Sequence, residues 1–63
     1  MYDSLLEMLI DQNLIRNGFY VHNRRFVFEP AYNKIGVECH DIRTGEYVTF
    51  DDVRNAAKWV NKK

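Results

Sequence analysis

Residues 37–60, VECHDIRTGEYVTFDDVRNAAKWV, contain the clearest structural signals in this chain. Apolar and polar residues alternate at 37–41, as expected of a strand with one buried face. Thr44-Gly45 then predicts a tight turn, because glycine takes positive φ without a steric penalty. The residues YVTF at 47–50 have high strand propensity. The stretch therefore begins with a predicted antiparallel hairpin.

The length of the turn sets the register expected for this hairpin. A two-residue loop with a neighbouring bulge brings Ile42 close to Tyr47 and His40 close to Thr49. These two pairs are the specific expectation for the second half of the sheet.

After the hairpin the sequence period changes to that of an amphipathic helix. Apolar residues recur at spacings of three and four, at Phe50, Val53, Ala56, Ala57 and Val60. Thr49 and Asp52 fit a capping box, with Thr49 as the N-cap. Val48 and Val53 fit the accompanying hydrophobic staple. Because this helix directly follows a strand, it must fold back onto the sheet.

The 63 residues, 1–63, are predicted to form one small domain. Nine basic and nine acidic residues cancel, so the basic excess typical of nucleic-acid binders is missing. Cys39 is the only cysteine and lies in phase with Val37 on the predicted strand. This placement indicates a buried, reduced thiol in a cytoplasmic protein. No apolar run approaches the ~20 residues of a membrane span, and no secretory signal is recognisable, so no membrane association is expected.

A first helix is predicted from Asp3 or Ser4 to about Asn17. Ser4 and Glu7 form a capping box. Asn17-Gly18 is a typical helix stop, with the glycine in the left-handed conformation.

The apolar residues of this first helix spread over most of its circumference. They are Leu5, Leu6, Met8, Leu9, Ile10, Leu14 and Ile15. A helix that is apolar on more than one side needs a second partner, and small domains often gain stability by forming oligomers. One prediction is a homodimer formed through Met8 and Ile15. The alternative is that both pack within the chain, under a loop or against Trp59.

Residues 18–30, GFYVHNRRFVFEP, are rich in β-branched and aromatic residues. Asn23 tolerates left-handed geometry, so one prediction is a hairpin with its tip at this residue. The alternative is a single bent strand over residues 19–28. Alternation predicts that Phe26 and Phe28 lie on one face of this region and Arg25 and Val27 on the other.

Pro30 ends this region and predicts a turn over residues 30–33. The next strand is predicted from Lys34 to Ile42, and Gly36 marks a bulge or a close backbone approach.

The predicted order is an N-terminal helix, three or four antiparallel strands and a C-terminal helix. Short connections favour a meander, in which sequence neighbours pair in space. The fold class is therefore α+β, as a two-layer sandwich with both helices on one face of the sheet. The other face is left open to water or to a partner.

The sequence predicts no metal site and no cofactor. Cys39 and His40 are adjacent, so on a strand they point to opposite faces. His22, His40 and Glu38 lack the spacing of a structural zinc site. Three glycines are too few for a phosphate-binding loop, and a chain of this size has little room for a water-excluding pocket. We therefore expect that the protein is not an enzyme.

The segment HNRR at 22–25 is the most distinctive polar cluster. Candidate partner-binding residues around it and on the sheet are Tyr20, His22, Arg24, Arg25, Tyr32 and Tyr47. Arginine and aromatic side chains suit phosphates and exposed bases but equally suit protein interfaces. A solvated turn without a binding role is the third alternative. Trp59 is either a residue at the edge of the core or an interface anchor.

Two functional hypotheses follow from these features. The first is a small binding or regulatory module that acts through a protein–protein surface and associates with itself through Met8, Ile15 and Trp59. The second is a nucleic-acid-binding accessory protein that uses Arg24, Arg25 and the basic C-terminal helix, with an affinity that falls steeply with salt.

Overall fold

The computed structural model describes residues 2–32 and 35–63, and these form two helices and four strands. The elements are α1 (Leu5–Asn17), β1 (Tyr20–His22), β2 (Phe26–Pro30), β3 (Val37–Asp41), β4 (Glu46–Phe50) and α2 (Val53–Asn61). The strands pair antiparallel in the order β1-β2-β3-β4. The predicted α+β meander is therefore confirmed, with four strands. Neither helix of the described residues is long and apolar enough to cross a bilayer.

Residues 19–28 form a hairpin and not one bent strand. Asn23 and Arg24 have φ of 54° and 57°, and the amide of Arg25 donates to the carbonyl of His22 at 3.0 Å. Two consecutive left-handed residues reverse the chain with a twist that matches the flanking strands. β1 can therefore return directly as β2.

The hydrophobic core lies between the sheet and both helices. α1 packs against β1 and β2, whereas α2 packs against β3 and β4. The core residues are Leu6, Ile10, Phe26, Phe28, Val37, Cys39, Ala56, Ala57 and Val60. The buried strand residues are all of the same phase, so one face of the sheet carries both helices. The predicted two-layer arrangement is confirmed.

The predicted ends of α1 are also confirmed. The hydroxyl of Ser4 accepts from the amide of Glu7 at 3.1 Å, and Oε1 of Glu7 accepts from the amide of Asp3 at 2.9 Å. Gly18 follows the helix with φ of 82°, and its amide donates to the carbonyl of Leu14 at 3.0 Å. Local donors and acceptors therefore define both ends of this helix.

The predicted start of α2 is wrong. Asp52, not Thr49, is the N-cap, and its carboxylate accepts from the amide of Asn55 at 2.8 Å. The sheet ladder extends through Thr49, which pairs with Glu38, so β4 ends only at Phe50. Because the cap moves by three residues, the predicted staple between Val48 and Val53 is also wrong.

The predicted register of the β3–β4 hairpin is wrong as well. The loop spans four residues, 42–45, so His40 pairs with Tyr47 and Glu38 pairs with Thr49. Asp41 causes the early turn. Its carbonyl accepts from the amide of Gly45 at 2.7 Å, and its carboxylate accepts from the amide of residue 43 at 3.0 Å.

Gly36 confirms the predicted close approach of two backbones. A Cβ at this position would overlap the carbonyl group of Phe50, so only glycine fits without a shift of strand β4. The strand predicted from residue 34 begins at Val37. Residues 33 and 34, and with them part of the turn predicted at 30–33, lie outside the described residues.

Candidate functional site

The helices leave one face of the sheet uncovered, and we call it the open face. It is formed by alternate strand residues, namely Val21, Val27, Glu29, Glu38, His40, Tyr47 and Thr49. All seven are exposed or half-buried. A sheet with one solvated face commonly carries polar side chains there, whereas this face is partly apolar.

An apolar and aromatic row crosses the open face from edge to edge. Val21 pairs with Val27, Val27 pairs with His40, and His40 pairs with Tyr47. The rings of His40 and Tyr47 stack, with centroids 4.5 Å apart and planes 17° apart. Val21 is 43% exposed and Tyr47 is 62% exposed. The row therefore offers contact area that the chain itself does not cover.

The charge on the open face is acidic. Glu29 and Glu38 are directly opposite each other on β2 and β3. No lysine or arginine occupies an open-face position of the four strands. Like charges in directly opposite positions destabilise a strand pair. A cation bound between the two carboxylates would remove this repulsion, whereas a phosphate would add to it.

Two of the predicted partner-binding residues belong to this side of the sheet: Tyr47 lies on the open face, and Tyr32 lies beside it. Tyr32 follows β2 and is 98% exposed. It borders a shallow depression of about 180 Å³ whose walls include Glu38 and Thr49. The open face therefore extends beyond the ladder, with an aromatic side chain beside its acidic residues.

Tyr20 and His22 lie instead on the helix-covered face of β1, near the edge of the sheet. Both are half-buried, and the Tyr20 ring stacks on Phe28 of the core at 6.1 Å. The Tyr20 hydroxyl lies 3.1 Å from Nδ1 of His22, and burial raises the pKa of Tyr20. The structure thus separates these two residues from the tyrosines of the open face.

Arg25 forms an ion pair within the fold. Its Nε and Nη2 donate to the two carboxylate oxygens of Asp41 at 2.9 and 2.8 Å. Asp41 is fully buried, and these bonds hold its pKa well below the usual range. The guanidinium also lies 4.7 Å from the centroid of the Phe26 ring. Arg25 therefore ties the β1–β2 hairpin to the loop between β3 and β4.

Arg24 lies in the loop before β2, and Arg43 lies in the loop after β3. The start of β2 pairs with the end of β3, so these two loops are neighbours at one end of the sheet. Both side chains are exposed. Neither pairs with a carboxylate in residues 2–32 or 35–63. The end of α2 lies nearby, because Nζ of Lys63 is 3.1 Å from Oε1 of Glu46 at the start of β4. This end of the domain is therefore basic.

The residues predicted for self-association divide into two groups. Met8 and Ile15 lie on the outer side of α1 and are exposed. Trp59 is half-buried and packs within the chain, with ring centroids 6.1 Å from Phe26 and 5.8 Å from Phe50. Nζ of Lys63 lies 4.2 Å above the indole ring. The two aliphatic residues of α1 are thus the exposed members of the set.

A groove of about 600 Å³ lies between α1, the start of α2 and the connection from β2 to β3. Three of its four carboxylates have partners in the same chain. Glu7 accepts from the amide of Asp3, Asp11 accepts from the hydroxyl of Tyr2 at 2.7 Å, and Asp52 caps α2. The acidic groups of this groove therefore stabilise the two helices.

Cys39 is not available as a nucleophile in the folded protein. Its side chain is fully buried, and this burial raises the pKa of the thiol to about 11. Across residues 2–32 and 35–63, no group of three or more histidine, cysteine, aspartate or glutamate side chains is arranged to hold a metal ion.

Sequence reasoning did not select Val21, Val27 and His40 for partner binding. Strand alternation identifies the exposed phase of each strand, but only the register places these residues side by side. The sequence left the hairpin over residues 19–28 as one of two alternatives, and the predicted β3–β4 register was wrong. The sequence therefore did not predict that these residues form one continuous row.

No family model, curated protein or solved structure matches the chain.

Proposed function

We propose that this protein is a small, non-enzymatic binding module that holds a partner protein on the open face of its sheet. The row of Val21, Val27, His40 and Tyr47 carries the proposal, because it joins one open-face side chain from each strand into a single contact line. Contiguous exposed apolar surface is characteristic of interaction sites, and tyrosine is enriched at the energetic centres of interfaces.

The charge of the open face supports a protein partner over a nucleic acid. Glu29 and Glu38 would repel the phosphates of a bound strand, which supply most of the affinity of nucleic-acid binders. A lysine or arginine of a protein partner would instead be attracted to the same pair. The partner we propose therefore carries apolar side chains next to at least one basic residue.

The proposal includes self-association and a cytoplasmic location. Met8 and Ile15 expose apolar surface on the side of α1 that faces away from the core. This surface supports a homodimer that leaves the open face free. The buried thiol of Cys39 supports a reducing compartment.

Affinity capture from the source cell tests the partner with matched baits. The first bait is the wild type, the second carries Val21→Asp with Tyr47→Ala, and the control carries Lys58→Ala on the exposed side of α2. We expect a protein that the wild type and the control retain after nuclease treatment and that the open-face variant loses. With the purified partner, Tyr47→Ala should weaken binding by at least about tenfold. Equal retention by all three baits would remove the open face as the site.

The second candidate, nucleic-acid binding, is supported by Arg24 and Arg43 at the basic end of the sheet. It predicts that single-stranded or duplex DNA or RNA binds at low salt and is released as salt rises. The double variant Arg24→Ala with Arg43→Ala should then bind more weakly and with a smaller salt dependence. Absence of binding to every probe at low salt would end this candidate.

A further inference from the structure

The edge of the sheet at β4 is a surface that the proposed function does not use. We propose that an extended, acidic segment of a protein partner pairs with this edge as a fifth strand. Alternate side chains of this segment enter a groove between β4 and α2, which we call the edge groove. The inference goes beyond the proposed function, because it concerns an edge of the sheet and not its open face.

The two edges of the sheet differ in how well they are protected against pairing. The strand order is β1-β2-β3-β4, so β1 and β4 are the edge strands. Natural edge strands are usually very short, or carry proline, lysine or a bulge. β1 has only three residues. β4 has five residues, EYVTF, without proline or lysine, and all five pair with β3 in one continuous register. β4 therefore offers a regular edge to an added strand.

The residues of β4 suit a strand with neighbours on both sides. The four residues YVTF at 47–50 have high strand propensity. Glu46 is the charged residue of the strand, and its carboxylate is balanced by Nζ of Lys63 at 3.1 Å. Alternate residues of an edge strand point their amide and carbonyl groups away from the sheet. An extended segment satisfies these groups by strand addition, in which backbone hydrogen bonds supply the affinity.

The edge groove, of about 450 Å³, lies between the end of β4 and the outer flank of α2. Its apolar lining comes from Phe50 and Trp59, which are both half-buried and have ring centroids 5.8 Å apart. Thr49 and Asn55 add polar groups to the lining. Successive side chains of a strand point to opposite faces, so every second side chain of an added strand points toward the helices. The edge groove therefore receives these side chains and supplies the specificity of the pairing.

The charge of the edge groove favours an acidic segment. Lys58 and Lys62 both line it, and their spacing of four residues places them on the same side of α2. Both are exposed, and among the residues that the structure describes neither forms an ion pair. Asp51 also lines the groove, but it precedes α2, whereas the lysines lie near the end of this helix. Two lysines and one aspartate give a net charge of +1, so an acidic side chain near the end of α2 is attracted.

The same lysines disfavour a second copy of this chain at the edge. Two β4 strands paired across a two-fold axis would place both α2 helices on one face of a continuous sheet. The flanks that carry Lys58 and Lys62 would then face each other, and like charges would meet. A nucleic acid would be attracted to these lysines but has no peptide groups to pair with the strand. The occupant is therefore a protein segment that presents apolar and acidic side chains on one side.

Two synthetic peptides test the inference before the natural partner is known. The first is a capped peptide of about eight residues, in which every second residue is threonine and the others are valine and glutamate in turn. The second has lysine in place of glutamate. We expect the wild type to bind the acidic peptide at least about tenfold more tightly than the basic peptide. Equal affinities, or no binding of the acidic peptide at millimolar concentration, would overturn the inference.

Charge reversal in the protein tests the role of the two lysines. The double variant Lys58→Glu with Lys62→Glu should bind the acidic peptide at least about tenfold more weakly than the wild type does, and the basic peptide more tightly. A variant that fails to fold could not show this gain. Arg16→Glu is the matched control, because Arg16 and Lys58 are both exposed basic residues in the last turn of a helix. An equal effect of Arg16→Glu would reduce the binding to net charge and overturn the assignment to the edge groove.

Amide hydrogen exchange, followed by NMR, shows whether the peptide pairs with β4. Strand addition predicts that the outward amides of β4 exchange more slowly when the acidic peptide is bound, and that the amides of β1 do not change. Peptide binding that leaves the exchange of β4 unchanged would overturn the inference. Lys58 lies on the helix side of the sheet, so Lys58→Ala remains a control for binding at the open face. Loss of the partner of the open face and loss of the peptide are thus distinguishable.

Discussion

Two adjacent residues of β2 test the assignment of the sheet faces on which the binding proposal depends. Phe28 is fully buried under the helices, whereas Val27 is half-buried on the open face. We predict that Phe28→Ala strongly lowers the free energy of unfolding and that Val27→Ala changes it only slightly.

The magnitudes follow from burial. Removing a buried phenylalanine side chain costs ~3–5 kcal/mol, because transfer energy and packing contacts are both lost. A chain of 63 residues has a total stability of about 3–9 kcal/mol at the usual value per residue. Phe28→Ala therefore removes from about a third to all of the stability. Val27→Ala should cost about 0.5–1 kcal/mol, as is usual for a partly exposed position.

Urea unfolding followed by the fluorescence of Trp59 measures both variants, because this single tryptophan packs on Phe26 and Phe50. With a slope of ~1 kcal/mol per molar urea, Phe28→Ala lowers the midpoint by ~3–5 M. The protein concentration is held low and constant, since dimerisation would add to the apparent stability. A conservative Phe28→Leu should cost ~1 kcal/mol. Equal midpoints for Phe28→Ala and Val27→Ala would refute the assignment of the faces.

Three further predictions concern positions at which the structure decides between local alternatives. Asp52→Ala should lower the unfolding free energy by ~1 kcal/mol, because it removes the cap of α2, whereas Thr49→Val should change it by less than ~0.5 kcal/mol. A larger loss for Thr49→Val in urea unfolding would indicate that Thr49 is the N-cap after all. Asp41 has a lowered pKa in the folded state, so its stabilising effect is complete above the unfolded value of ~3.9 and is lost as the pH falls through that value toward the folded one. The urea midpoints of the wild type and Asp41→Asn should therefore differ at neutral pH and converge in acid, and a gap independent of pH would contradict this. Gly36→Ala should lower the unfolding free energy by ~1–3 kcal/mol, because the new Cβ overlaps the backbone of β4. Gly18→Ala adds a Cβ that meets no atom within 4 Å, so it should lose only the ~1 kcal/mol that a left-handed conformation costs. Equal thermal melting temperatures for the two variants would argue against the close approach at Gly36.

The features that sequence reasoning predicted correctly depend on contacts a few residues apart. Ser4, Glu7 and Gly18 define the ends of α1 through bonds that span three or four residues. The element order and the two layers follow from the periods of apolar residues. Gly36 is the exception, because an isolated glycine in a strand indicates a bulge or a close backbone approach, and the backbone it approaches, at Phe50, is distant in the sequence.

The features that it missed depend on pairs distant in the chain. The ion pair of Arg25 and Asp41 joins residues 16 positions apart, and no local pattern indicates it. The same aspartate closes the loop after β3 and so shifts the register by two residues. The open-face row requires that register, because it relates one residue from each of four strands. The cap of α2 was misplaced because Thr49 and Asp52 are both good caps, and the strand ladder decided between them.

The buried thiol of Cys39 makes it possible to measure how often the folded domain opens. A chemical label can reach this sulfur only after the layer of helices lifts from the sheet, and there is one cysteine in the chain. The labelling rate therefore counts opening events of the whole domain and needs no added probe. Because the sulfur lies in the core, on the side of the sheet opposite the open face, slower labelling when a partner binds there would report tighter closure of the domain and not shielding of the thiol.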